Sequence, residues 1–171
     1  DRAQPATGRA MSEWAAVTDW ATIRHFEAAE FQKDSAKVHP DVVELLDEYR
    51  DTLGRPVVIL VAWDEATGHV EDSAYPKGLA VDFYVPGVAL VEQYLWAERF
   101  RWHGIGCYPW WRKQVAPGVY ERIPGLHCDL SPRPEHPELG RRWYRDAAGV
   151  YRALDRAFLR QLADDAFPVG P

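Results

Sequence analysis

Apolar residues recur along the chain with two different periods, and together these predict a domain of mixed helices and strands. In residues 40–54 the apolar positions return every three or four residues, which is the spacing of an amphipathic helix. Asp41 is a favourable N-cap for this helix, and Gly54 a favourable stop. Residues 57–63 are almost continuously apolar, which predicts a central strand covered on both faces. A second amphipathic helix is expected within residues 88–100.

The second half of the chain is dominated by short strand patterns. Four further strands are expected in apolar segments near glycine or proline: residues 78–85, 103–108, 119–123 and 126–130. Residues 109–118 are expected to form an aromatic loop, and residues 131–140 a proline-rich connector. Residues 142–152 predict a hairpin, although a helix also fits them, and residues 155–166 a closing helix. This order of elements predicts an α+β domain on a mostly antiparallel sheet flanked by helices.

Length and charge bound the class of protein. The 171 residues suffice for one core but not for two ordinary domains. A net charge of −6 with no basic stripe argues against nucleic acid as a partner. No apolar run is long enough to span a membrane, and no secretory signal is visible. We expect residues 1–11 to be a disordered segment or a cloning remnant, and residues 12–171 to form a single domain.

The two cysteines leave the redox compartment undecided. Cys107 and Cys128 fit neither a zinc-finger spacing nor a disulfide framework, which favours buried, reduced side chains. One disulfide remains an alternative if the two strands that carry them are neighbours.

Polar side chains within apolar strands mark the candidate site. Asp82 lies inside the apolar segment 78–85, where a carboxylate must be paired, hydrogen-bonded or bound to a metal. His127 and Asp129 share one face of their strand, and Cys128 takes the other. We therefore expect function where these two strands meet.

The order of motifs within residues 25–152 resembles the zinc metallopeptidases of bacterial cell walls, namely the D-alanyl-D-alanine carboxypeptidases and phage endolysins. That family carries S-x-H-x-x-G-x-A-x-D, then G-I-G-x-Y-P, then a strand with H-x-D. The chain matches these motifs at Ser73, Gly78, Ala80 and Asp82, at residues 104–109, and at His127 and Asp129. The resemblance implies the D-Ala-D-Ala metallopeptidase-like fold, also called the hedgehog-type peptidase fold. It also implies a periplasmic, extracellular or phage-associated location.

By position, the resemblance implies that Asp82 and His127 bind zinc and that Asp129 supports the site. In such enzymes three protein ligands leave one zinc position open, where bound water becomes acidic enough to attack a peptide carbonyl. Three parts of that site are altered here. Tyr75 replaces the first histidine ligand, Asp64 the substrate-associated arginine, and residues 124–126 the general base. The sequence therefore predicts an impaired or lost zinc site.

Two arrangements of the altered site remain open. His69 or His103 could replace the missing ligand beside Asp82 and His127. Alternatively, a hydrogen-bonded network of Tyr75, Asp82 and His127 satisfies all three side chains without metal.

The resemblance predicts a cell-wall peptidase-like domain, related to the zinc carboxypeptidases and endolysins, with impaired or absent zinc. The alternative is a non-catalytic module on the same fold, which binds a peptide or muropeptide or serves as a component of a phage-type assembly. In either case the cleft is expected to contain Trp63, Asp64, Ser73, Tyr75, Trp110 and Trp111.

Overall fold

The computed structural model describes residues 17–33, 35–64 and 77–167. Its helices are α1 (Pro40–Leu53), α2 (Leu90–Ala97) and α3 (Arg156–Ala166), preceded by two short 3-10 helices, Ala28–Phe31 and Ser35–Lys37. Its strands are β1 (Val58–Val61), β2 (Ala80–Tyr84), β3 (Gly104–Tyr108), β4 (Arg112–Ala116), β5 (Val119–Arg122), β6 (Gly125–Asp129), β7 (Arg142–Arg145) and β8 (Tyr151–Ala153). The predicted segment 1–11 and residues His69, Ser73 and Tyr75 lie outside the described residues.

Six of the strands form one sheet in the order β1-β2-β6-β3-β7-β8. Every neighbouring pair is antiparallel except β3 and β7, which are parallel. Strands β4 and β5 form a separate two-stranded hairpin. The protein is thus a single α+β domain with a mostly antiparallel sheet, as the element order predicts. No helix of the described residues is long and apolar enough to cross a membrane.

The two faces of the sheet have different roles because side chains alternate along each strand. One face is apolar and packs with helices α1, α2 and α3 to form the main core. Its fully buried strand residues are Val81, Phe83, Ile105, Cys107, Leu126 and Cys128. Both cysteines are free and buried on this face, on the neighbouring strands β3 and β6. The opposite face carries Asp82 and His127.

Strand β1 corrects the prediction of a central strand. It lies at the edge of the described sheet and pairs with β2 alone. Beyond it, the Gln32 side chain donates a hydrogen bond from Nε2 to the Ile59 carbonyl at 2.9 Å. A continuous apolar run shows that a strand is covered, but covering by an N-terminal segment gives the same pattern as pairing on both sides.

The boundaries of α1 are confirmed, but its predicted N-cap is wrong. The cap is His39, whose Nδ1 accepts a hydrogen bond from the Asp41 amide at 3.2 Å. Pro40 then occupies the first helical turn, where its missing N–H costs nothing. Gly54 ends the helix with φ of 62°, as expected.

Two further predictions concern the C-terminal half. Residues 142–152 form the antiparallel hairpin β7–β8, rather than a helix, and α3 follows with Asp155 as its N-cap. The aromatic loop prediction is wrong in part, because residues 112–116 pair as β4 with β5. This strand is exposed at every position, so it has no hydrophobic alternation by which it could be recognised.

Candidate functional site

One row of residues runs across the polar face of the sheet. Asp82 on β2 lies opposite His127 on β6, which lies opposite Gly106 on β3, which in turn lies opposite Trp143 on β7. A Cβ at Gly106 would overlap the indole of Trp143, which is fully buried. The neighbouring row has the same requirement, because a Cβ at Gly104 would overlap the Asp129 carboxylate. The Gly-Ile-Gly motif thus makes room on this face for Trp143 and Asp129.

The imidazole of His127 is fully buried and is held by three carboxylates. Its Nδ1 lies 3.0 Å from Asp82 Oδ1. Its Nε2 lies 3.2 Å from Asp129 Oδ2 and 2.9 Å from Glu135 Oε2. Asp129 is itself fixed, because its Oδ1 accepts a hydrogen bond from the Ser131 amide at 2.9 Å. The structure therefore brings the predicted residues Asp82, His127 and Asp129 together.

Glu135 is the participant that sequence reasoning missed. It lies in the proline-rich connector between β6 and β7, which returns across the polar face through a bridge between His136 and Gly140. Such a connector has no periodicity that would show where an acidic side chain points. The one indication in the sequence is that the connector joins β6 and β7, two strands that both place side chains on the polar face.

The carboxylates decide the charge state of His127. Burial alone would lower its pKa, but the hydrogen bonds with Asp129, Asp82 and Glu135 outweigh burial and raise the pKa well above its usual value. The same contacts favour the protonated ring, in which both nitrogens donate to carboxylate oxygens.

The described residues supply only part of the zinc centre that the resemblance implies. On the Nδ1 side, Asp82 and His127 are joined by no third metal-binding side chain among residues 17–33, 35–64 and 77–167. On the Nε2 side, His127, Asp129 and Glu135 form a group that can hold a metal ion. One imidazole and two carboxylates are donors that both zinc and oxygen-preferring cations accept.

His103 does not complete the cluster. Its Nδ1 donates a hydrogen bond to the Ser131 carbonyl at 3.0 Å, and its neighbours in a separate pocket include His39, Glu44 and Arg101. The other predicted substitute ligand, His69, lies outside the described residues.

An aromatic wall adjoins the cluster. Trp143 lies 5.3 Å from the His127 ring and 4.8 Å from the His136 ring, both measured between centroids. Tyr108 packs edge-on against Trp143 at 5.4 Å. Burial, and then the nearby charge of Asp82, raise the pKa of Tyr108, so its phenol stays neutral in the physiological range. Aromatic rings therefore pack directly against the charged cluster.

The predicted cleft residues within the described part of the chain lie in two groups, Trp63 and Asp64 after β1 and Trp110 and Trp111 after β3. Trp63 follows β1 and lies under the Lys37 ammonium at 4.0 Å, and the nearby Asp64 pairs with Lys33. Trp111 stacks on Tyr108 at 4.2 Å, beside the opposite end of β2. Trp110 is more exposed and lies under the Arg122 guanidinium at 3.9 Å.

Comparison of the chain with protein-family models, with curated proteins and with solved structures found no match.

Proposed function

We propose that this chain is a cell-wall peptidase-like domain, with the D-Ala-D-Ala metallopeptidase-like fold, that binds peptide without zinc-dependent hydrolysis. The observation that carries the proposal is the His127 ring between three carboxylates, with both nitrogens engaged. A zinc ligand must offer an unprotonated nitrogen, whereas carboxylate oxygens at both nitrogens favour the protonated ring.

The relationship to the peptidases is supported by how the motifs meet in space. Asp82 ends the first motif and His127 begins the last, and they pair directly across neighbouring antiparallel strands. The Gly-Ile-Gly strand lies on the other side of β6, where each glycine leaves space for a polar-face side chain. Three motifs that are distant along the chain thus contribute side chains or space to one site, as they would in a protein related to the peptidases.

Loss of hydrolysis is supported by the residues at the positions where the peptidases have a zinc ligand, a substrate-associated arginine and a general base. Tyr75 replaces a histidine ligand, and Asp64 replaces the substrate arginine and pairs with Lys33. Glu135 is the acidic group nearest to His127, but its carboxylate forms an ion pair with the imidazolium. A carboxylate held in this way is a weaker base than one that faces a metal-bound water.

The test combines metal content with peptide turnover. Protein is incubated with zinc, freed of unbound metal and analysed for zinc per chain, and it is then mixed with muropeptides to measure binding and cleavage. We expect well under one zinc per chain, measurable binding and no cleavage.

One bound zinc per chain that is lost in both Asp82→Ala and His127→Ala, together with cleavage, would overturn the proposal. Asp51→Ala is the matched control, since Asp51 pairs with His25 at 2.8 Å away from the polar face. Metal retained by the wild type but lost only in Glu135→Ala would instead place a cation on the Nε2 side.

A further inference from the structure

Strands β4 and β5 form a hairpin, residues 112–122, in which every residue is exposed. The pair forms a two-stranded sheet of its own, separate from the six-stranded sheet. An isolated two-stranded hairpin has little stability in water. Hairpin 112–122 is therefore a candidate interaction surface, provided that its side chains suit a particular partner.

The end of hairpin 112–122 is apolar. Residues 115–120 read Val-Ala-Pro-Gly-Val-Tyr and contain no charged side chain. Val115, Val119 and Tyr120 are 49%, 53% and 60% exposed. Single exposed apolar side chains are normal on a protein surface, but three on one turn and its flanking residues form a patch. Tyrosine is also enriched where an apolar phase meets water.

The base of the same hairpin is basic, with three cationic side chains and one acidic side chain among residues 112, 113, 121 and 122. Lys113 donates a hydrogen bond from Nζ to the Tyr84 hydroxyl at 3.3 Å. Arg122 donates a hydrogen bond from Nε to the Pro109 carbonyl at 2.6 Å. Neither acceptor is a carboxylate, so these contacts position the two cations without neutralising them.

Two of the basic side chains repel each other. Arg112 lies directly opposite Arg122 across the hairpin, and like charges at opposed positions destabilise an antiparallel pair. Arg122 also lies over the ring of Trp110, at 3.9 Å from the centroid, and Trp110 is 43% exposed. An anionic surface against the base would relieve the repulsion, because phosphate accepts bidentate hydrogen bonds from a guanidinium.

An apolar end and a basic base on one exposed element are the features by which a peripheral protein binds an anionic lipid surface. We propose that hairpin 112–122 docks on a membrane that contains anionic lipid, with residues 115–120 among the headgroups and the basic side chains against lipid phosphates. The whole chain has a net charge of −6, so repulsion of its other surfaces orients the hairpin towards the membrane. The proposal goes beyond peptide binding at the polar face and does not depend on it.

Two other occupants suit the hairpin less well. A two-fold contact with a second copy would bring the same basic side chains together, which like charges disfavour. A soluble polyanion would pair with the base but leave the apolar end in water. A lipid surface satisfies both parts of the hairpin.

Flotation of the full chain with lipid vesicles tests the proposal. One set of vesicles is phosphatidylcholine alone, and the other holds equal amounts of phosphatidylcholine and phosphatidylglycerol. We expect binding to the anionic vesicles to be roughly tenfold tighter than to the neutral ones and to weaken as salt is raised, because a basic side chain contributes only near anionic headgroups.

Val119→Asp should weaken binding to the anionic vesicles by about tenfold, since a valine side chain that leaves water contributes free energy of that order. Leu95→Asp is the matched control, because Leu95 is 56% exposed but lies on helix α2, and it should bind as the wild type does. Lys113→Gln should weaken binding by about fivefold. Arg99→Gln should leave binding unchanged, because Arg99 lies over Trp96 outside the hairpin. All four substituted side chains are exposed, so the variants should remain folded.

A dye at the end of the hairpin separates insertion among headgroups from attraction by charge alone. Val119→Cys labelled with an environment-sensitive fluorophore should shift its emission to shorter wavelength when anionic vesicles are added. Leu95→Cys with the same label should show no shift. Cys107 and Cys128 are buried, so the label should attach to the introduced cysteine.

Three outcomes would overturn the proposal. The first is equal binding to both kinds of vesicle, or binding that Val119→Asp leaves unchanged. The second is binding that dextran sulfate abolishes, with no emission shift at residue 119, which would assign the hairpin to a soluble polyanion. The third is a dimer that Val119→Asp dissociates, with no binding to vesicles, which would assign the hairpin to a second copy. Salt-sensitive binding with an emission shift at residue 119 would support the lipid surface.

Discussion

Replacing His127 by glutamine removes the positive charge from the centre of the three carboxylates. His127 is fully buried and Asp129 is 1% exposed, so solvent does not screen the loss. Removal of one partner from a buried ion pair destabilises a protein by about 3–5 kcal/mol. Glutamine still donates through its amide, so we expect a loss near the lower end, about 3 kcal/mol. In a chain of this size that lowers Tm by roughly 6–12 °C.

Urea unfolding at pH 7 with a chelator present measures this loss without any contribution from metal. The matched control is His25→Gln, since His25 also contacts a carboxylate, Asp51, but its side chain is 34% exposed. That variant should lie within about 0.5 kcal/mol of the wild type. A similarly small effect for His127→Gln under the same conditions would refute the reasoning that the imidazolium holds the cluster together.

Three further predictions follow from the same packing and charges. The folded pKa of His127 lies well above its unfolded value of about 6.5, so the charged ring should stabilise the fold fully below that value and lose this effect as the pH rises through the folded pKa. Urea midpoints of the wild type and of His127→Gln across alkaline pH measure the effect. A difference between the two midpoints that stays constant with pH would contradict it. Gly106→Ala should cost about 1–3 kcal/mol, since the new methyl would overlap Trp143, and an unchanged urea midpoint would show that the indole can move. Cys107 and Cys128 should resist a thiol reagent in the native protein and react in urea, because burial blocks access and raises the pKa of both thiols; rapid native labelling of either would contradict the packing.

The elements that could be predicted are those in which the spacing of apolar residues along the sequence matches their burial in the fold. Strand β3 begins one residue after the expected start and ends at the expected residue, and β6 differs by one residue at each end. The pairing of Asp82 with His127 could also be predicted from the sequence, because a buried carboxylate and a buried imidazole in neighbouring strands each require a partner.

The remainder depends on contacts that no local pattern encodes. His39 caps α1 because its ring folds back onto the Asp41 amide, although histidine is not among the preferred capping residues. Glu135 joins the cluster because the connector after β6 crosses the polar face. The hairpin of β4 and β5 has no apolar period that would place it, because both strands are exposed at every position.

The protonation state of the His127 ring tests the central claim most directly. Long-range ¹H–¹⁵N NMR on protein labelled at histidine reports both ring nitrogens at neutral pH, before and after zinc is added, with His127→Gln to assign the signals. We expect an imidazolium with two protonated nitrogens that zinc does not change. A neutral ring whose Nδ1 signal shifts when zinc binds would contradict it and return His127 and Asp82 to the role of metal ligands.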